Sequence, residues 1–200
     1  IHDCSLQGFN MILAIDRAGF VGDDGETHQG IFDVPFLNTI PNVTIFAPSY
    51  FNELRVMLNK STQNCKGIIA IRYPKGKEYF CPKEFEFSGN TFDIYGKSHD
   101  NGILIVTYGR TFSFACQARN KLIKYGKVVS IMKLNVIKPI DSKAVKDAKE
   151  FSNVLFFEEG IRSGSVAEKF GSKLLELGFS GKYSITAIED EFVKHATVES

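Results

Sequence analysis

Two hundred residues leave room for one domain or two, and an apolar share of 44% is enough to build a core. A formal net charge of +1 argues against a polyanion as partner, because nucleic-acid binders carry a basic excess. No apolar run approaches the roughly 18 residues that a membrane span needs, so neither nucleic acid nor membrane is an expected partner. Cys4, Cys65, Cys81 and Cys116 are far apart, with no C-x-x-C pair and no His at ligand spacing. That pattern argues against a disulfide framework or zinc site and points to a reducing compartment, the cytoplasm. Ile1-His2-Asp3 reads as the interior of a longer polypeptide, and no targeting segment is expected.

Short β-branched runs alternate with segments of helical period, the pattern of an α/β fold. Met11–Ile15 reads as a buried strand, followed by a glycine-rich acidic loop from Gly19 to Gly30. Val43–Ala47 reads as a second strand. Pro48-Ser49 then opens a helix with Ser49 as N-cap, where a hydroxyl can accept from an unpaired amide. Leu54, Met57 and Leu58 are expected to be its inward stripe. Ile68–Arg72 is a third strand, closed by Tyr73-Pro74-Lys75-Gly76. Between Lys77 and Asn101 the pattern weakens, which predicts a linker of extended chain.

A second unit follows. Ile103–Tyr108 is a strand, and Gly109-Arg110-Thr111 turns into a helix ending at Gly126 with Ala115, Ala118 and Leu122 inward. Val128–Met132 is a strand, and Asp141 caps the next helix. Val154–Phe157 is a strand, and Ser165-Val166-Ala167-Glu168 has the form of a capping box, in which Ser and Glu satisfy each other's backbone donors. Val166, Phe170, Leu174 and Leu177 give that helix its apolar stripe. Tyr183–Ile188 is the last strand.

The chemistry concentrates in Asp16-Arg17-Ala18-Gly19 and the following Phe20–Gly30. Ligands of open α/β sheets bind beyond the carboxyl ends of strands, and glycines let such a loop turn tightly against a ligand. His28 is suited to proton exchange near neutral pH, and Arg17 to bidentate recognition of phosphate or carboxylate. Composition alone also fits a solvated turn, whereas the ligand spacing of a calcium loop is absent. His2 and Asp3 read as structural, and His99 and His195 as solvated. The polar groups from Glu158 to Ser165 could hold an anion at a helix N-terminus, but a plain cap explains them better.

Gly22-Asp23-Asp24-Gly25-Glu26-Thr27-His28-Gln29 resembles the G-x-D-G-x-T-H-Q signature of the transketolase superfamily's pyrimidine-binding domain. Asp16-Arg17-Ala18-Gly19, Gly30-Ile31-Phe32-Asp33 and Arg72-Tyr73-Pro74-Lys75-Gly76 are similar to the deoxyxylulose-phosphate synthase family within it. The likeness continues more loosely at Val136-Ile137-Lys138-Pro139-Ile140-Asp141 and Phe157-Glu158-Glu159.

That resemblance implies an α/β architecture in two parts. Residues 1–83 would be an incomplete pyrimidine-binding, transketolase-type three-layer domain, and residues 84–200 a transketolase C-terminal α/β domain. It implies thiamine-diphosphate- and Mg²⁺-dependent condensation of pyruvate with glyceraldehyde 3-phosphate, with loss of carbon dioxide, in a homodimer. By the same resemblance His28 and Asp24 are catalytic, at the acceptor's carbonyl and hydroxyls, and Arg17 and Arg72 bind the acceptor's phosphate. The family's metal motif and cofactor-activating Glu are not matched here. The 200 residues are therefore expected to need the remainder of the polypeptide, to bind the cofactor poorly and to be inactive alone. A transketolase, the β-type subunit of a 2-oxo-acid dehydrogenase and a non-catalytic dimerisation module are the alternatives.

Overall fold

A computed structural model describes residues 1–96 and 102–195. The first stretch forms α1 (His2–Leu6), β1 (Met11–Ile15), a 3-10 turn at Gly22–Asp24, α2 (Asp33–Thr39), β2 (Val43–Phe46), α3 (Phe51–Gln63) and β3 (Ile68–Arg72). The second forms β4 (Phe92–Tyr95), β5 (Ile103–Tyr108), α4 (Thr111–Lys124), β6 (Val129–Leu134), β7 (Val136–Lys138), α5 (Ser142–Lys149), β8 (Asn153–Ile161), α6 (Val166–Glu176) and β9 (Lys182–Ile188). No helix among the described residues is long and apolar enough to cross a membrane.

Two sheets result. The first has the order β1-β3-β2-β7, with β1, β3 and β2 parallel and β7 antiparallel to β2. The second has the order β4-β6-β5-β8-β9, parallel except for β4. Both are mixed α/β sheets, as expected. Every residue of β3 is buried, as is all of β6. Central strands of sheets covered on both faces have no solvent side, which is why they read as apolar runs rather than as alternations. β7 follows β6 directly, yet it pairs with β2 at Ile45↔Lys138 and Phe46↔Val136. A segment of the second stretch thereby completes the first sheet. One contiguous core runs through both, from Ile45 and Ala70 to Met132, Phe156 and Phe170.

Caps and stripes were legible in part. Asp141 caps α5 by accepting from the Lys143 amide, and Ser165 caps α6 by accepting from the Glu168 amide, with the Glu168 carboxylate accepting from Gly164 N–H at 2.8 Å. Ser49 does not cap α3. The N-cap is Tyr50, without a side-chain bond, and the Ser49 hydroxyl donates instead to Gly109 O at 2.6 Å. Nor is Leu54-Met57-Leu58 the inward stripe: Leu58 is exposed, and α3 buries Glu53, Met57 and Ser61. One oxygen of the buried glutamate, Oε2, pairs with Lys133 of β6 at 2.9 Å, a partner that no local pattern reveals. In α4 the exposed Ala118 gives way to Phe112 and Cys116.

Candidate active site

β1 and β3 are parallel neighbours in register, Ile15↔Arg72, so the segments that leave their carboxyl ends emerge side by side. Two backbone bonds tie them: Tyr73 N–H donates to Ile15 O at 2.9 Å and Ala18 N–H to Tyr73 O at 3.0 Å. The loop then closes on itself, Gly19 N–H donating to Gly30 O at 2.8 Å and Gly30 N–H to Gly19 O at 3.0 Å. A Cβ on Gly30 would lie 2.1 Å from Arg17 O, so only glycine permits this neck. Within it, Asp24 N–H bonds Val21 O and His28 N–H bonds Gly25 O.

Two of the four sequence-derived residues, Arg17 and Asp24, meet here, and His28 lies on the same loop. Asp24 Oδ2 lies 3.1 Å from Arg17 Nε, and Asp24 Oδ1 lies 2.8 Å from Lys75 Nζ. The hydrogen bond from Lys75 holds the Asp24 carboxyl below its ordinary range. Desolvation opposes that shift, while the charges of Arg17, Lys75 and His28 support it. Asp24 Oδ2 accepts no hydrogen bond among the described residues although it is shielded from solvent. His28 is exposed, with Nδ1 2.8 Å from Thr27 Oγ1. Arg17 has φ of 60°, the left-handed region that costs a non-glycine residue about 1–2 kcal/mol. Such a conformation persists where the surroundings over-determine it, and functional sites are where this happens.

Arg72 is set behind the cluster. It is 4% exposed, and its Nε and Nη2 donate to the two Asp33 oxygens at 2.8 and 3.2 Å, with Nη2 also donating to Gly30 O at 3.1 Å. Its guanidinium lies 5.5 Å from the centre of the Tyr108 ring. Burial works against its charge, but the charge and hydrogen bonds of Asp33, together with Tyr108 and Glu159, outweigh it and raise the pKa. Arg72 thus grips the closing end of the loop and lines a narrow cleft with Ala18, Pro74, Arg110 and Glu159.

Lys75, Asp33, Tyr108, Arg110 and Glu159 were not picked out as site residues from the sequence. Lys75, Asp33 and Glu159 lie within quoted motifs, whereas Tyr108 and Arg110, at the carboxyl end of β5 and in the turn after it, read only as a strand end and a turn. Arg110 Nε donates to both Glu159 oxygens at 2.9 and 2.7 Å, and Arg110 also donates to Phe20 O. His2 and Asp3 are exposed, and their side chains lie 3.2 Å from each other. His195 is exposed and stands beside Gly25, so it borders the loop; His99 lies outside the described residues.

Comparisons with known proteins bear on the family. Residues 1–78 match the transketolase pyrimidine-binding domain, and residues 96–200 match the transketolase C-terminal domain. Across its full length the chain is 34% identical to a 1-deoxy-D-xylulose-5-phosphate synthase of Clostridium acetobutylicum and 36% identical to one of Geobacillus sp. (strain WCH70). Over 99% of its length it is 35% identical to that of Azobacteroides pseudotrichonymphae. The chain spans 32% of the length of each of these relatives. A solved structure described as a split-gene transketolase, an inactive beta4 tetramer, superposes with a TM-score of 0.79 at 22% identity, covering 94% of this chain and 61% of that one. The chain belongs to the transketolase family, as a pyrimidine-binding segment followed by the family's C-terminal domain.

Proposed function

We propose that this chain supplies the acceptor-binding side of a thiamine-diphosphate-dependent synthase that condenses pyruvate with glyceraldehyde 3-phosphate, with decarboxylation, to 1-deoxy-D-xylulose 5-phosphate. The observation that carries the reading is the convergence of Arg17, Asp24, His28 and Lys75 on one loop at the carboxyl end of the first sheet. Similarity to enzymes of that name over the full chain supports it. Thiamine diphosphate, when bound, supplies the carbanion that attacks carbonyl carbon; the protein's task is orientation and charge. In this reading His28 donates to the aldehyde oxygen as negative charge develops there, and Asp24 accepts from the acceptor's hydroxyls. Arg17 and Arg72 bind the acceptor's phosphate with Lys75 nearby, and Arg72 also holds the loop through Asp33 and Gly30.

Among the described residues no group of three or more His, Cys, Asp or Glu is placed to hold a metal ion. The reading, which follows the resemblance, assigns the Mg²⁺-bound diphosphate to the remainder of the polypeptide, divides the two domains between residues 83 and 84, and has the enzyme act as a cytoplasmic homodimer. The isolated 200 residues are expected to show no turnover.

The test uses the full-length enzyme. His28→Asn is expected to lower kcat/KM by roughly 10²-fold or more, the usual size of a lost proton-transfer group. Arg17→Ala is expected to raise the KM for the aldehyde with little change for pyruvate. Activity within a few-fold of wild type for His28→Asn would make the loop structural. Turnover of ketose donors without pyruvate would indicate a transketolase instead.

A further inference from the structure

We propose that Glu159 and Arg110, from the second sheet's side of the molecule, are positioning residues for the loop that carries Arg17, Asp24 and His28; the proposal rests on the acceptor-site reading above. Phe20, just beyond the Gly19–Gly30 neck, is held at its backbone carbonyl, which accepts from Arg110, while its amide faces the Glu159 carboxylate and favours its charge. The Glu159 carboxylate also fills the space beside Gly19: a Cβ there would lie 2.1 Å from Glu159 Oε2, and Gly19 has φ of +83°. The two side chains fix one another through a bifurcated bond, Arg110 Nε–H shared between both Glu159 oxygens, and they are only 11% and 10% exposed. A charged pair of fixed geometry, shielded from water, sets position more sharply than a mobile surface pair.

Attachment of the two sheets does not require this pair. β7 joins the first sheet directly, and Lys133 and Glu53 form a separate buried ion pair across the junction. Glu159 and Arg110 instead spend their polar contacts on the loop, four residues from Asp24. The other end of the loop is held from the same side: Ile161 N–H donates to Ile31 O at 3.0 Å, and Gln29 Nε2 donates to Val193 O at 3.2 Å. The loop is thus clamped at both ends by the second unit while its middle faces outward. Misplacement of a catalytic group by even an ångström slows reaction steeply, so loosening the clamp is expected to act on acceptor use rather than on folding.

Glu159→Gln and Arg110→Lys, made in the full-length enzyme, test this. Each is expected to raise the aldehyde KM roughly tenfold or more while the pyruvate KM stays within about twofold. Amide exchange over Phe20–Gln29 should accelerate, with Ile103–Tyr108 unchanged. Unchanged aldehyde KM and loop exchange, with His28→Asn inactive in the same assay, would overturn the positioning role and leave the acceptor-site reading standing. An active His28→Asn would overturn that reading itself. Equal losses for both substrates together with a lowered Tm would mark the pair as structural only and count against the proposal. Should both variants fail to fold, the wild-type protein decides: the Phe20 amide must exchange more slowly than that of Glu26, and equal rates sink the idea.

Discussion

Asp24 owes its character to its neighbours. Its carboxyl is depressed by Lys75 first, and by Arg17 and His28 further out. A depressed acid contributes stability above its ordinary value of 3.8, and that contribution disappears as pH falls through the lower folded value. Asp24 therefore stays ionised across the neutral range, ready to accept hydrogen bonds. Lys75→Met removes the largest cause, so the Asp24 carboxyl should titrate closer to 3.8, measurable by carboxyl-carbon NMR; an unaltered midpoint would refute this assignment. Arg17 offers a second test. At φ of 60°, Arg17→Gly and Arg17→Ala lose the same guanidinium, but only glycine relieves the backbone. The glycine variant is expected to be more stable than the alanine variant by about 1 kcal/mol in urea titrations, although both bind the aldehyde poorly.

Helices and strands acquire their burial from what they pack on. α3 turns Glu53 inward because Lys133 of β6 waits there, with Ser49 N–H also donating to the carboxylate at 2.7 Å. Lys133 extends the network to Asn135, whose amide reaches Asp93 at 2.8 Å, while Phe85, Phe87 and Phe112 surround the ammonium. Burial pushes the Lys133 pKa down, and the Glu53 charge opposes that. Lys133→Met leaves a carboxylate buried without its cation and is expected to cost about 3–5 kcal/mol in urea titrations. The double variant Lys133→Met, Glu53→Leu should recover most of that loss, because removing both charges removes the desolvation penalty too.

The molecule as a whole is joined more closely than a chain of two successive α/β units suggests. β7 crosses into the first sheet, the apolar core is continuous, the Glu53–Lys133 pair spans the junction, and Arg110 donates across it to Phe20 O. Each unit's stability then depends on the other. Urea unfolding followed by probes in the two sheets should give coincident transitions, the signature of one cooperative unit. Two separated midpoints would show that these junction contacts contribute little.

The chain itself was sufficient for the α/β alternation, the Asp141 and Ser165 caps, and the loop with Arg17, Asp24 and His28, because period, capping and glycine turns are signals carried within a few residues. It did not disclose that Arg72 is committed to Asp33, that Glu53 faces Lys133, that Ser49 bonds Gly109 rather than its own helix, or that Glu159 presses on Gly19. Those partners lie roughly 40 to 140 positions apart in the chain, and only the strand order and the register of the two sheets bring them within reach. Local chemistry thus marked a candidate loop, while long-range pairing set which side chains its charges meet.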